Sequence, residues 1–291
     1  MKDLKFDLLV GYKVKGNFTK SVELLRSNSI AEEVFTRKLA EKPFTWIANV
    51  ISIATKSVGL EPVGEAVREE YLKSGSVTIP PIVKQMPLTD ANMMLLEVHR
   101  RVWESKLPKQ QIVCKFCTKG LVTDIDLDQV KAPDEALNFP QTEALFTDLD
   151  FGVDLTSWII ENKQDKEGGL SDLKNVNFNR LLFRIPTLGD GIKNEDYASR
   201  SIELWRRLAA DCLIGVQSIE DGKVVAEFPT DKLPWLGLKF FTYFDSSDLK
   251  KIRFTLREEL PTMPFSYMGE CPCDFKRTIP FAMEASGFFS E

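Results

Sequence analysis

Histidine is almost missing from this chain: His99 is the only one in 291 residues. General acid–base catalysis usually recruits histidine, and so do metal centres and activated nucleophiles. A single His inside a predicted helix, beside Arg100 and Arg101 and with no Ser/Asp or Cys constellation around it, reads as a structural residue. An enzyme on this chain would have to build its site from carboxylates, so the expectation is a protein without catalytic activity. There is no phosphate-binding loop and no nucleophile elbow; Gly189-Asp-Gly191 is a lone glycine turn without phosphate-loop spacing. No apolar run approaches the roughly 18 residues of a membrane span. The best stretch, Phe44 to Ala54, is interrupted by Asn49 and Ser52. The N-terminus, Met1-Lys-Asp-Leu-Lys-Phe-Asp, mixes charges and has no apolar core of a signal peptide. A polybasic nucleic-acid surface is also missing: the net charge is -5, and the only basic concentration is the small patch of Lys109 and Lys119 around one cysteine pair. The expectation is a protein made in the cytoplasm, with neither nucleic acid nor membrane as partner.

Cysteine is scarce but ordered. Four of five fall into two tight pairs, Cys114-Lys-Phe-Cys117 and Cys271-Pro-Cys273. In a reducing compartment such pairs read as metal ligands before disulfides. Two separated pairs can close one tetrahedral zinc site, with Zn–S near ~2.3 Å. The candidate metal ligands are therefore Cys114, Cys117, Cys271 and Cys273, and the candidate cofactor is a structural zinc. Plain free thiols are the competing reading. The Cys-x-Cys spacing of the second pair is tighter than the usual Cys-x-x-Cys, and Pro272 alone favours a turn. A redox role fits poorly, because a thioredoxin-type pair opens a helix and this one lies between extended runs. Cys212 falls in a helical apolar pattern and reads as a small core residue.

The fold expected from pattern is α+β, mostly helical, with a small cysteine-clamped, zinc-ribbon-like β element. Residues 1–80 read as a helical N-terminal region and 81–291 as an α+β domain. Ser29-Ile-Ala-Glu32 has the form of a capping box. A helix is expected over about Val58 to Lys73. Ile79-Pro-Pro-Ile82 reads as a non-helical connector, and Thr89-Asp90 as the cap of a helix reaching Trp103. Gln111–Cys114 and Gly120–Thr123 predict two short strands around the first cysteine pair. Asp124, Asp126 and Asp128 alternate with apolar residues as on a half-exposed strand, and lack the glycine and terminal Glu of a calcium loop. Phe146–Asp150 and Phe178–Ile185 predict strands. The three-to-four-residue recurrence of Ile202, Trp205, Leu208, Ala209 and Cys212 predicts an amphipathic helix capped by Asn194. Asp221-Gly222 predicts a hairpin turn. Ser246 or Ser247 is expected to cap a last helix with Leu249, Ile252, Leu256 and Leu260 on one face. Leu88 to Asp126 and Ser247 to Phe281 share a rhythm of helix, proline, cysteine pair and strand, with too little identity to claim a duplication.

The order of these elements resembles the T4-type phage baseplate hub and tail-assembly proteins. The likeness rests on Leu88-Thr-Asp-Ala-Asn-Met-Met-Leu-Leu leading to Cys114-Lys-Phe-Cys117 and Ile125-Asp-Leu127; on Leu182-Phe-Arg-Ile-Pro-Thr-Leu188 before the helix of Cys212; and on Ile252–Leu260 leading to Cys271-Pro-Cys273 and Phe288-Phe289. It spans most of residues 85–291. It implies a structural or assembly component of a contractile phage tail, made in the host cytoplasm and placed in the virion tail. Such a protein is present in several copies and acts through contacts with other tail or baseplate proteins. A zinc-ribbon nucleic-acid-binding or regulatory module is the alternative that the cysteines leave open.

Overall fold

The computed structural model describes residues 4–36, 42–103, 106–113, 120–129, 138–161, 173, 175–199, 201–235, 237–258, 265–270 and 278–283. The chain forms two compact units. Unit 1 holds Met1–Gln141, Thr187–Ile192 and Pro261–Glu291; unit 2 holds Thr142–Pro186 and Lys193–Leu260. Each unit contains a four-stranded antiparallel sheet whose strands lie in sequence order.

In unit 1 the strands are β1 (Lys5–Val14), β2 (Asn17–Leu24), β3 (Thr55–Val58) and β4 (Glu61–Pro62). Lys15 and Gly16, at φ 49° and 85°, make the two-residue turn between β1 and β2. Both central residues of a type I′ hairpin need positive φ, which glycine adopts freely. Two helices are inserted between β2 and β3: α1 (Ser29–Thr36) and α2 (Pro43–Ala54). Pro43 opens α2 at a position where its missing N–H costs nothing. Helix α2 buries Trp46, Val50, Ile51 and Ile53 and passes straight into β3, since Thr55 already has extended backbone (φ -84°, ψ 123°). Helix α3 (Gly64–Ser74) follows and is closed by Gly75 at φ 69°, whose N–H donates to the Tyr71 carbonyl at 2.8 Å. The short α4 (Pro81–Lys84) leads to α5 (Leu88–Val98), which continues through one π-helical turn, His99–Trp103. The hairpin of β5 (Lys106–Val113) and β6 (Gly120–Asp126) comes next.

In unit 2, β7 (Ala144–Asp154) is followed by α6 (Thr156–Glu161) and β8 (Asn177–Arg184). The chain then gives Thr187–Ile192, and with it all of α7 (Leu188–Lys193) but its last residue, to unit 1, where the Leu188 N–H donates to the Met86 carbonyl at 2.8 Å. A Cβ on Gly191 would lie 2.7 Å from Phe44, so glycine here allows the close approach. Back in unit 2, α8 (Ser201–Cys212) runs without a loop into β9 (Leu213–Glu220). Asp221-Gly222, at φ 49° and 74°, turns it into β10 (Lys223–Phe228). A 3₁₀ turn at Thr230–Trp235, α9 (Gly237–Phe240) and α10 (Ser246–Glu258) complete the unit. Trp158 meets the Phe228 ring edge-on at 5.5 Å, and Phe240, Phe241 and Phe244 form a second aromatic cluster. The last hairpin, β11 (Phe265–Glu270) with β12 (Thr278–Met283), belongs to unit 1.

Four expectations are corrected. The fold is not mostly helical with a zinc-ribbon element: it is mixed α+β around two four-stranded antiparallel sheets. Residues read as helical at the N-terminus hold β1 to β4, because the continuous apolar run Leu8-Leu9-Val10 belongs to a strand covered on both faces, where alternation is lost. The cap of α1 is Asn28, whose Oδ1 accepts the Ala31 N–H at 3.0 Å, one residue before the Ser-x-x-Glu box. Pro81 and Ile82 form the first turn of α4, while Ile79 and Pro80 lie outside the helix, with Pro80 extended as a residue before proline is pushed to be.

Phe228 is fully buried against Trp158 and Phe178. Phe228→Ala is expected to lower stability by about 3–5 kcal/mol, from lost burial plus the cavity left behind. Urea unfolding of the variant beside the parent protein checks it.

Candidate functional site

The most organised polar groups in the described residues are two aspartates, each placed third in its helix and each holding a strand bulge. Asp90, in the first turn of α5, is wholly buried. Its Oδ1 accepts the N–H groups of Leu9 and Val10 at 2.9 and 3.0 Å, and its Oδ2 accepts the Gly11 N–H at 2.8 Å. These three residues lie where the β1–β2 register shifts, between Asp7 and Tyr12, and Gly11 has φ 74°. A bulge points strand N–H groups away from the partner strand, and buried donors left without an acceptor are costly. Asp90 supplies that acceptor from eighty residues away.

Asp248 does the same in unit 2. It is wholly buried in the first turn of α10 and accepts the N–H of Asp150 at 2.6 Å and of Phe151 at 3.3 Å. The β7–β8 register shifts there, between Asp148 and Val153, and Gly152 has φ 70°. Thr255, two turns further along α10, hydrogen-bonds the buried Thr147 of β7 at 2.7 Å. Helix α10 is capped by Asp245, whose Oδ1 accepts the Ser247 N–H at 2.8 Å, which leaves Asp248 free to reach the strand.

Burial pushes the Asp90 carboxyl up to about 6, against the three backbone N–H groups and the charge of Lys20, which hold it down. Burial, followed by the neighbouring Asp90 charge, raises Tyr12, whose hydroxyl donates to the Ile82 carbonyl at 2.9 Å. On the exposed side of β7, Arg180 holds Asp148 with Nε and Nη2 at 2.6 and 3.0 Å and stacks over the Phe146 ring at 4.7 Å. Lys251 and Ser247 hold Asp150 at 2.5 and 3.0 Å. The Arg180 hydrogen bonds keep Asp148 below the usual carboxylate range, and Lys251, then Ser247, do so for Asp150.

The residues singled out in the sequence fall as follows. Cys114, Cys117, Cys271 and Cys273 lie outside the described residues; in sequence, each pair falls between the two strands of one hairpin, β5–β6 and β11–β12. Among the described residues no group of three or more His, Cys, Asp or Glu side chains is placed to hold a metal ion. Cys212 is buried, as expected of a core residue. His99 is buried at the start of the π turn. Asp126 turns back to accept the Asp128 N–H at 3.0 Å. Asp190 accepts the N–H and hydroxyl of Thr187, both at 2.8 Å, so Gly189-Asp-Gly191 is the first turn of α7 and not an anion loop. Asn194 does not cap α8; its amide donates to Asp211 at 2.7 Å, alongside Lys193. The two aspartates at the bulges were missed as a pair. The available signal was the string Asp-Leu-x-x-Gly, present at Asp7–Gly11 and again at Asp148–Gly152.

Asp90→Ala leaves three buried N–H groups without an acceptor and is expected to cost about 3 kcal/mol or more, at roughly 1–3 kcal/mol for each group. A pH dependence follows too. Because the folded carboxyl titrates above its ordinary value of 3.8, the native state binds the proton more tightly than the unfolded chain. The Asp90 contribution therefore favours folding at low pH, is lost as pH rises from about 4 to about 6, and is flat above that. The difference in urea stability between the parent protein and Asp90→Asn, taken across that window, is expected to shift in the parent's disfavour as pH rises; a constant difference would contradict it.

No protein-family model matches the chain, and no curated protein or solved structure matches it.

Proposed function

We propose that this chain is a non-catalytic structural or assembly component that works through protein–protein contact, in the class of contractile phage tail and baseplate proteins that its sequence resembles. The observation that carries the contact reading is the surface of the β7–α10 pair. Three phenylalanines there are more than half exposed: Phe146 at 55%, Phe151 at 65% and Phe254 at 59%. Phe146 lies over the Arg180 guanidinium that pairs with Asp148; exposed aromatic side chains beside paired charges suit docking, where apolar area supplies affinity and charges fix register. The aspartates that organise each unit are occupied by backbone N–H groups, which supports a scaffold reading over acid–base chemistry. In this reading the protein resides in the virion tail after synthesis in the host cytoplasm, in several copies, with other tail proteins as its partners. A structural zinc on Cys114, Cys117, Cys271 and Cys273 belongs to the same reading, supported by the place of each pair between two paired strands.

Mass spectrometry of purified tail particles and of tail-assembly intermediates is expected to find the chain at constant stoichiometry. Replacing Phe146, Phe151 and Phe254 together by Ser should abolish that incorporation while the unfolding midpoint stays within a few degrees. Absence of the parent chain from both preparations overturns the proposal. Elemental analysis of the purified protein is expected to give about one zinc per chain; a zinc-free protein whose stability ignores chelators removes the metal.

A further inference from the structure

We infer that the chain is a tandem duplication: residues 4–126 and 144–283 are two copies of one module, each closed by a helix carboxylate seated on its own strand bulge.

The correspondence runs from end to end. Each copy begins with a strand that bulges at Asp-Leu-x-x-Gly, Asp7–Gly11 in β1 and Asp148–Gly152 in β7. Both glycines take nearly the same left-handed conformation, φ 74° and 70°. Each copy then has a second antiparallel strand, a helical insertion, and a helix that enters the third strand without a loop: Ala54 into Thr55, and Cys212 into Leu213. A two-residue turn containing a positive-φ glycine, Gly59 or Gly222, leads to the fourth strand. Both sheets have the same sequential order. After further helical turns comes the helix whose third residue is the buried aspartate, Asp90 in α5 and Asp248 in α10. With Gly11 matched to Gly152, Leu9 and Val10 fall on Asp150 and Phe151, and these are the residues whose N–H groups the two carboxylates accept. Finally each copy ends in a two-stranded hairpin. Cys114 directly follows β5, 24 residues after Asp90; Cys271 directly follows β11, 23 residues after Asp248.

Chance convergence would have to reproduce several independent choices: strand order, bulge position, glycine conformation, helix register and the spacing to the cysteine pair. An antiparallel meander is common on its own. A carboxylate from a remote helix at one register, seated on a bulge of the first strand, is a specific long-range device, and it occurs in both copies. The copies differ in their connections, where change is cheapest. A two-residue turn joins β1 to β2, whereas α6 lies between β7 and β8; α3 and α4 stand where the second copy has the 3₁₀ turn and α9.

The experiment uses the full chain, with Gly11→Ala, Asp90→Ala, Gly152→Ala and Asp248→Ala alone and in pairs. Asp90→Ala is expected to raise amide exchange in 5–14 and 88–98 at least tenfold and to change 144–154 and 246–258 less than twofold; Asp248→Ala should do the reverse. Within a copy, the glycine and aspartate effects on the unfolding equilibrium should be non-additive by about fivefold or more, and between copies they should multiply. Should an alanine variant fail to fold, Asp90→Asn and Asp248→Asn give the same readout more gently. Equivalence of the bulges is tested by Asp150→Leu with Phe151→Val, which writes the first copy's Asp-Leu-Leu-Val-Gly into β7. This double variant should keep the parent protection of 144–154. Loss of that protection, coupling between copies in place of coupling within them, or an Asp248→Ala variant with unchanged exchange in β7 and α10 overturns the duplication.

Discussion

A buried carboxylate accepting backbone N–H groups from a strand bulge is the constraint on which each unit is built. A bulge breaks the ladder and leaves donors facing inward. At Leu9, Val10 and Gly11 these donors are buried, and at Asp150 and Phe151 partly buried, so another group has to accept in place of the partner strand. Asp90 and Asp248 do this from the first turn of a helix, where a negative charge is also favoured by the helix dipole. One contact therefore sets three things at once: the bend of the first strand, the position of the helix along it, and the register of the sheet edge. The left-handed glycine at the end of each bulge is part of the same arrangement. At Gly11 a Cβ would lie 2.6 Å from the Thr19 carbonyl oxygen, and at Gly152 it would lie 2.4 Å from the Asn177 side chain.

Where structure was legible in the sequence, the signal was local. Asp221-Gly222 announced its hairpin, since few pairs other than Asn-Gly and Asp-Gly tolerate two positive φ values. The apolar stripe of α10 was legible, and Ile252 and Leu256 are indeed buried. So were β7 and β8. The N-terminal sheet was not. Leu8, Leu9 and Val10 are buried together, so the strand lacks the two-residue alternation that would have marked it. β3 is only four residues long and begins where α2 stops, so no turn residue punctuates it. The caps of α1 and α10 were read one step out of place, because Ser, Asn and Asp near a helix start are interchangeable by composition and only geometry selects among them.

The aspartates at the centre of the candidate site escaped for a related reason. Asp90 looked like part of a helix cap because every local rule assigns an acid in the first turn to that task. Its real partners lie about eighty residues earlier, and no periodicity carries that information. The two copies of the motif also differ in what surrounds it. Leu9 and Val10 are wholly buried while Asp150 and Phe151 face outward, so the shared string Asp-Leu-x-x-Gly hides under unlike neighbours. The cysteine pairs drew the eye by chemistry, yet their clearer meaning is positional, as the same point in two matching hairpins.

The loopless junctions of α2 with β3 and of α8 with β9 carry a mechanical consequence. A hinge needs a few residues free to absorb changes in φ and ψ. Here the backbone passes from helical to extended across one peptide unit, with Ala54, Thr55, Cys212 and Leu213 all buried. A push on either helix is thus delivered to the middle of its sheet with no slack between them. The same two points are poor places to insert an affinity tag or a fluorescent label, and the turns at Gly59-Leu60 and Asp221-Gly222 are better ones.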